Sequence, residues 1–437
     1  MTQSIAHHQL ERAANWLLLL LVVITFGVSA MLLSTMGIKY DEPGGSFLQK
    51  LHPASWCAAL ALGVKILSFR HRSNYIVGLP IRFPGAACFT LGWLLLILFA
   101  VVVQHAPITT LVDTFFCSVV FLILFTDADE TTRRQIRLIV HGMLFANACI
   151  GISEFITHLR LTPFVTGGKI ILHDYRSTAI LGHPLVNSAT TAGYALMLFL
   201  GADRTIPWLL RCFLIGVQLV ALVAFGGRSA IVFCVVLGAI GFLRPAADLL
   251  VGKRFDMRMA LFSMLALPLV FGAAAAAASG GYLDNIVERF VDDKGSAYAR
   301  VVMLQLFDSF SMEELLLGPD PARLDSLMNL LGIEYGIENS WVAFIFMYGG
   351  LMSALFVTGF VFLLWDLWRR TGPGATLLMI YLLAQLSSAA GISVKSFLLN
   401  QFVIMLLAIV GGARRDQFSE PRPAGAFSAL HRPSRAQ

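Results

Sequence analysis

The chain has 437 residues, of which 57% are hydrophobic and 13% are charged, and its mean hydropathy is +0.76. A soluble domain carries about a quarter charged residues, so this composition excludes an ordinary soluble fold and predicts an all-α polytopic membrane protein. The net charge of +6 does not indicate nucleic-acid binding, because most Lys and Arg residues lie in short loops and no nucleic-acid recognition motif accompanies them.

Apolar stretches along the chain predict about twelve transmembrane helices. A bilayer core about 30 Å thick needs about 20 residues at about 1.5 Å per residue. The first stretch lacks a cleavage site and is expected to be a signal anchor. Residues 1–411 therefore form an integral membrane domain, and the Pro- and Arg-rich tail at 412–437 is expected to be cytoplasmic and disordered. The predicted spans are 15–36, 54–69, 86–103, 108–125, 136–157, 183–200, 206–225, 229–243, 258–278, 340–365, 374–389 and 394–411.

Basic residues occur in alternate loops, and the positive-inside rule makes these loops and both termini cytoplasmic. The remaining loops face the outer side, and two of them are long: residues 158–182, and residues 279–339 between spans nine and ten. The longer loop contains helix-start signals, such as the capping-box spacing of Ser311 and Glu314 and the pair Asp320 and Pro321. Since these helices have apolar faces, we expect them to fold back on the bundle and cover a cavity at the outer leaflet.

Three polar residues of the smaller loop and the next outer turn are candidate ligand-binding groups. Arg228 lies in the two-glycine turn "FGGRSA", where an arginine at membrane depth contacts a bundle interior or a ligand. Its planar guanidinium suits phosphate, although an interface-anchoring arginine would look the same. Arg176 is either a second phosphate contact or a solvated charge. His183, which precedes Pro184, is either a general base or sugar hydrogen-bond donor, or a helix cap.

The large loop contributes four further candidates. Arg289 and Arg300 are eleven residues apart, which on one continuous helix returns to nearly the same face because eleven steps of about 100° make about three turns. Glu338 and Asn339 precede a strongly apolar helix, "SWVAFIFMYGG". They predict either a catalytic carboxylate with a sugar-orienting amide or a simple helix cap. His173 and His183 lack metal-ligand spacing and a third ligand, so the sequence predicts no metal and no cofactor.

The order of these stretches resembles the O-antigen ligase/polymerase superfamily of bacterial envelope proteins, which includes WaaL-type ligases and Wzy-type polymerases. Members commonly have about twelve spans and a large periplasmic loop late in the chain. The segment "RSTAILGHPLVNSATTAGY" together with "IENSW" is most similar to the exopolysaccharide-polymerase branch, including VpsF-like proteins. The matching motifs are "GGRSA" (226–230), the set Arg289, Ser296 and Arg300, "LLLG" (315–318) and "ENSWVAFIFMYGG" (338–350).

The resemblance implies a donor oligosaccharide linked to undecaprenyl diphosphate, in the inner membrane of a bacterium, with the reaction at the periplasmic face. It implies that Arg228, Arg289 and Arg300, supported by Arg176, bind the diphosphate, and that Asn339 and His183 orient sugar. Ligases of the superfamily usually have His where this chain has Glu338. A carboxylate serves as a general base toward sugar hydroxyls in other enzymes, so Glu338 is expected to deprotonate the acceptor. Expected partners are membrane lipid, a flippase and a chain-length regulator.

Three other functions stay open at this point. A ligase would transfer the same donor to a different acceptor, such as lipid A-core. A lipid-linked sugar transporter would need charged residues along a path at the membrane midplane, and few occur in the predicted spans. A non-catalytic scaffold of an envelope assembly would leave the polar constellation without a purpose.

Overall fold

The computed structural model describes residues 2–42, 44–166, 169–171, 176–203, 205–251, 296–333 and 336–411. This part of the chain is helical apart from a short antiparallel strand pair, β1 (Val165–Thr166) with β2 (Lys169–Ile170), in which Val165 pairs with Ile170. The predicted all-α class is therefore confirmed.

The helices before the strand pair follow the apolar stretches and their punctuation. Pro53 and Pro84 each occupy the first turn of a helix, where the missing N–H costs nothing. The helices are α1 (Thr2–Gly27), α2 (Ala30–Thr35), α3 (Phe47–Lys50), α4 (Pro53–Leu67), α5 (Arg72–Arg82), α6 (Pro84–Val102), α7 (Thr109–Asp127) and α8 (Glu130–Thr157).

The helices after the strand pair include three between residues 296 and 330 that belong to the predicted large loop. In chain order they are α9 (Pro184–Phe199), α10 (Trp208–Phe225), α11 (Arg228–Leu250), α12 (Ser296–Asp308), α13 (Met312–Leu317), α14 (Pro321–Leu330), α15 (Ser340–Thr371), α16 (Thr376–Ser388) and α17 (Leu398–Met405). A 3-10 turn (Pro373–Ala375) precedes α16, and a π-helix (Leu406–Gly411) continues α17.

Six of the described helices are long and apolar enough to cross a membrane, which is consistent with a multi-pass membrane protein. Shorter apolar helices coincide with four other predicted spans. The predicted span at 258–278 lies outside the described residues, so the number twelve stays a prediction. The six long helices are His7–Gly27, Pro84–Val102, Thr109–Asp127, Glu130–Thr157, Trp208–Phe225 and Ser340–Thr371, and the four shorter ones are Pro53–Leu67, Arg228–Leu243, Pro373–Ser388 and Leu398–Gly411.

The ends of two predicted spans need correction. The sequence predicts one span over 15–36, but α1 ends at Gly27 and a new helix, α2, begins after Ser29. Ser29 caps α2 by accepting the N–H of Leu32 at 3.2 Å, so a local side-chain cap replaces the continuous helix. The predicted span 394–411 begins only at Leu398, which leaves Lys395 in the connection before α17.

Helices α6 and α15 pack closely, because glycines allow their backbones to meet. A Cβ on Gly85 would overlap the backbone of Phe362, and a Cβ on Gly359 would lie 3.0 Å from Phe89 Cα. Small residues let membrane helices approach in this way, where packing rather than water drives association. Phe89 also contacts Phe356 edge-on, with ring centroids 5.6 Å apart.

The loop helices pack on the first turns of α15, as the sequence predicts. Val302 and Leu306 of α12 and Leu324 of α14 form a separate apolar cluster with Phe346 of α15. We call the end of the bundle that carries α12, α13 and α14 the loop end. The helix starts also match their predicted caps, since Ser311 and Glu314 form a capping box and Asp320 accepts the N–H of Ala322.

Helix α15 is interrupted at Gly349, and the end of α13 packs against this interruption. Gly349 has a φ of 81° inside α15, and its Cα faces the backbone of the Leu315–Gly318 turn. A Cβ at Gly349 would lie 2.5 Å from Gly318 N and from Leu317 C. The two motifs "LLLG" (315–318) and "MYGG" (347–350) therefore pack backbone against backbone, with no side chain at Gly349 to separate them.

Candidate functional site

The segment that carries Arg176 and His183 is held by a buried carboxylate. Glu154, in the last turn of α8, is 5% exposed. Its oxygens accept backbone N–H groups from Leu161 at 2.6 Å, Thr178 at 2.8 Å and Ala179 at 2.9 Å. Such charge-assisted hydrogen bonds are about twice as strong as neutral ones. They fix this stretch of the predicted loop 158–182 on the end of the membrane helix.

A second α8 side chain fixes the next two residues of the same segment. Asn147 Oδ1 accepts the N–H of Ile180 at 3.0 Å and of Leu181 at 3.2 Å. Ala179 adopts a left-handed conformation with φ 43°, which costs a non-glycine residue energy and persists only where surrounding contacts impose it. The backbone of the turn before His183 is therefore held in one conformation by its hydrogen bonds to α8.

His183 caps α9, which confirms the structural alternative for this residue. Its Nδ1 accepts the N–H of Leu185 at 3.2 Å, and Pro184 occupies the first helical turn. In the neutral ring the proton must then lie on Nε2. The cap therefore makes His183 a hydrogen-bond donor, and the general-base role proposed from the sequence would require the cap to break.

Arg176 and His183 share one aromatic neighbour. The Arg176 guanidinium lies 5.8 Å from the centroid of the Phe164 ring, and the His183 ring contacts the same ring edge-on at 5.4 Å. Both side chains are half-buried. The strand pair and the turn thus place a cation and an imidazole donor around Phe164, at the start of α9.

The turn that carries Arg228 adjoins this segment. Ser177 N–H donates to Ala224 O at 3.1 Å, near the end of α10. Gly226 then turns the chain with φ 66°, and Arg228 is the first residue of α11. Three of the predicted site residues, Arg176, His183 and Arg228, therefore lie on connected segments at one end of α9, α10 and α11.

Glu338 lies at the mouth of α15 and is exposed, whereas its neighbours are fixed. Asn339 Oδ1 accepts the N–H groups of Trp341 at 3.0 Å and Val342 at 3.3 Å, which confirms Asn339 as the helix cap. Ile337 is buried in the loop-helix cluster. The carboxylate thus projects from a rigid base at the N-terminus of an apolar helix.

The segment between α16 and α17 forms hydrogen bonds with Ser340, the residue that follows the Asn339 cap. Ser340 Oγ donates to Ala389 O at 2.8 Å, and the N–H of Ile392 approaches Ser340 Oγ at 3.3 Å. Helix α16 also packs against both α15 and α11. One helix therefore lies between the helix that begins after Glu338 and the helix that begins at Arg228.

Two arginines of the large loop complete the set of candidates. Arg289 lies outside the described residues, as does His173. Arg300 belongs to α12. Their predicted alignment on one helix face stays a prediction.

Sequence reasoning missed a buried ion pair at the same end of the bundle. Asp113, in the first turns of α7, is 0% exposed and accepts from Ser55 Oγ at 2.6 Å and Tyr40 Oη at 2.9 Å. Lys395 Nζ lies 3.7 Å from Asp113 Oδ2 and donates to Tyr40 O and Lys50 O at 2.9 and 2.6 Å. The available signal was one acid and one lysine in apolar sequence, since such charges usually pair.

The helix that carries Asp113 also contacts the segment that holds Ser340, two residues after Glu338. Thr114 Oγ1 donates to Val394 O at 3.3 Å, so α7 holds the same segment that bonds Ser340. Burial lowers the pKa of His52, which precedes α4 and packs on Tyr40, to about 4. His52 is therefore neutral at neutral pH and adds no charge beside Lys395.

A second missed acid lies at the opposite end. Asp203, between α9 and α10, is 0% exposed and accepts from His141 Nε2 at 3.0 Å, with Arg137 Nη1 at 3.7 Å. Burial raises the pKa of Asp203, but hydrogen bonds from His141 and Thr205 and the charge of Arg137 together outweigh burial, so the net pKa is lowered.

No protein-family model and no curated protein matches this chain. The superfamily resemblance therefore depends on the sequence motifs alone and stays a prediction.

Proposed function

We propose that the protein is a membrane-embedded, inverting glycosyltransferase that joins oligosaccharide repeat units, carried on undecaprenyl diphosphate, into an exopolysaccharide or O-antigen polymer. The site faces the periplasm in the inner membrane of a bacterium. The donor enters from the outer leaflet, and the growing chain or a further repeat unit supplies the acceptor hydroxyl.

One observation supports this proposal above the others. The segments that carry Arg176, His183 and Arg228 meet at one end of α9, α10 and α11. Glu338 is exposed at the mouth of α15, next to Ile337, which packs in the loop-helix cluster. Cations for a diphosphate and a carboxylate for a hydroxyl are the two groups that transfer from a lipid diphosphate requires.

The chemistry assigned to these residues is a single displacement. Glu338 takes the proton of the acceptor hydroxyl as its oxygen attacks the anomeric carbon. The bond from that carbon to the diphosphate oxygen breaks, and the configuration inverts. Arg228 and Arg176, with Arg289 and Arg300 from the loop, stabilise the charge on the departing lipid diphosphate. Asn339 and the Nε2–H of His183 orient sugar hydroxyls.

Three buried charges near the loop end, Asp113, Lys395 and Glu154, fit this proposal better than transport. Asp113 and Lys395 pair with each other and with loop backbone, and Glu154 binds loop amides. These charges fix the loop end, whereas a transporter would use charges along a midplane path.

The test uses the full chain in lipid nanodiscs with the lipid-linked repeat unit of its host. We expect a ladder of polymer on a gel, with release of lipid diphosphate. Release of lipid diphosphate only when lipid A-core is added would identify a ligase. Movement of the donor across the membrane of sealed vesicles, with its sugar–diphosphate bond intact, would identify a transporter and contradict the proposal.

A further inference from the structure

We propose that the N-terminus of α11 and the Ser188 hydroxyl together form a phosphate-binding cradle, which holds the diphosphate end of the donor. This inference rests on the proposed function, because it uses the same site. It goes further by assigning the anion to backbone amides and to a residue of α9, in addition to the arginine side chains. Ser188 lies inside the segment "RSTAILGHPLVNSATTAGY", but its sequence context alone assigns it no role.

The turn before α11 presents backbone amides at the loop end. Gly226 has a left-handed φ of 66°, and Gly227 O accepts the N–H of Ile231 at 3.1 Å, which closes the first turn. The amides of Arg228, Ser229 and Ala230 precede that first intrahelical bond, so they point out of the helix end. With 23 residues, α11 also carries the partial positive charge of a full helix at this end.

A buried hydroxyl is aimed at this turn. Ser188 is 1% exposed, and a Cβ built on Gly227 would lie 2.5 Å from Ser188 Oγ. The hydroxyl therefore lies directly against the backbone that begins α11. Its oxygen has no hydrogen-bond partner among the described residues. Buried hydroxyls are almost always hydrogen-bonded. The Ser188 hydroxyl differs from the other unpartnered hydroxyls, such as that of Ser353, because it lies against a helix start, where a bound anion would complete its hydrogen bonding.

The hydroxyl is preorganised by its neighbours. Asn187 Nδ2 donates to Thr178 O at 2.7 Å and to His183 O at 3.1 Å, which fixes the first turn of α9. Thr178 is in turn held by Glu154. The backbone that carries Ser188 is therefore already ordered before an anion binds, which lowers the entropic cost of binding.

The surroundings favour an anion over a neutral sugar. Arg228 is the first residue of α11, and Arg176 is joined to the end of α10 through the Ser177 N–H and Ala224 O hydrogen bond. Two guanidinium groups, helix-start amides and a hydroxyl donor all offer hydrogens. A phosphate oxygen accepts from all of these groups.

The experiment measures equilibrium binding to the purified full chain in nanodiscs, with radiolabelled inorganic pyrophosphate in one arm and undecaprenyl diphosphate in the other. The variant is Ser188→Ala, and the matched control is Ser353→Ala. Ser353 is also buried, at 4%, with a hydroxyl that lacks a partner among the described residues, but it lies in α15. Both variants are first shown to keep the unfolding temperature of the unaltered protein.

We expect Ser188→Ala to weaken binding of undecaprenyl diphosphate about tenfold, the effect of losing one hydrogen bond to a charged group, while Ser353→Ala binds normally. A Ser188-dependent signal with inorganic pyrophosphate as well would show that the head group suffices, and a signal with the lipid alone would assign the site to the lipid-linked form. Equal binding by both variants, or no binding of either probe to the unaltered protein, would overturn the cradle.

The polymer ladder, run on the same preparations, separates this inference from the proposed function. If the unaltered protein forms polymer and Ser188→Ala binds undecaprenyl diphosphate normally, the cradle is refuted and the polymerase is not. Ser188-dependent binding without any polymer would leave the cradle standing and refute the polymerase.

Discussion

Replacing Gly349 with alanine tests how the loop helices are attached to the bundle. Gly349 has φ 81°, and an added Cβ would lie 2.5 Å from Gly318 N and 2.6 Å from Leu316 O. Both are backbone atoms, so no side-chain rotation relieves the contact. The backbone at Gly349 (φ 81°, ψ 157°) lies in a region that essentially only glycine adopts, which costs another residue about 1–3 kcal/mol, and overpacking costs about 1–3 kcal/mol. We therefore expect Gly349→Ala to lower the free energy of unfolding by about 2–6 kcal/mol.

Gly332→Ala is the matched control, because Gly332, in the large loop after α14, also has a positive φ (71°) but nothing within 4 Å of an added Cβ. It should lose only the conformational part, about 1–2 kcal/mol. Equilibrium unfolding in mixed micelles measures both, and limited proteolysis reports whether α13 leaves α15. If Gly349→Ala were no more destabilising than Gly332→Ala, the docking of α13 against α15 would be wrong.

Three further changes test the buried charges. Lys395→Met leaves the fully buried Asp113 carboxylate without its cation, and we expect about 3–5 kcal/mol of lost stability in the same unfolding assay. Glu154→Gln removes the charge that binds the amides of Thr178 and Ala179, so hydrogen exchange at those amides should accelerate and polymer formation fall about tenfold. The lowered pKa of Asp203 means that its ionised form adds stability above its usual pKa of 3.8, and that this stability is lost as pH falls through the lower folded value. Asp203→Asn should flatten that acid limb of the unfolding curve.

Each of these expectations has an outcome that contradicts it. A double variant, Asp113→Asn with Lys395→Met, should recover much of the stability, and no recovery would mean that the two residues act independently. Unchanged exchange at residues 178 and 179 in Glu154→Gln would remove the carboxylate from its holding role. An acid limb that persists in Asp203→Asn would assign the pH dependence to other groups.

Local signals allowed parts of this fold to be predicted from the sequence. Ser311 with Glu314, Asp320 with Pro321, and Asn339 each form the helix cap that their spacing indicates, because capping depends on residues within one turn. The apolar stretches located most of the helices for the same reason. The break after Gly27 was missed since hydrophobicity alone does not distinguish one long helix from two.

Contacts between residues far apart in the chain could not be predicted from the sequence. Asp113 and Lys395 are separated by most of the chain, and neither has a neighbour in sequence that reveals the other. Ser188 reads as one more small residue of a membrane helix, and only its position against Gly227 distinguishes it. His183 and Arg228 became candidates because a proline and two glycines mark their turns, and their role in a site stays a prediction. Whether Arg289 and Arg300 join them stays a prediction.

The most direct test of the account is the rate of lipid diphosphate release by Glu338→Gln. The glutamine keeps the size of the side chain and leaves the Asn339 cap intact, but it cannot take a proton. Glu313→Gln is the control, since Glu313 is also an exposed acid of the large loop. We expect Glu338→Gln to slow release by about 10²- to 10⁴-fold, the usual contribution of a general base, and Glu313→Gln to release at the unaltered rate. Equal rates for the two variants would contradict the central claim that Glu338 activates the acceptor.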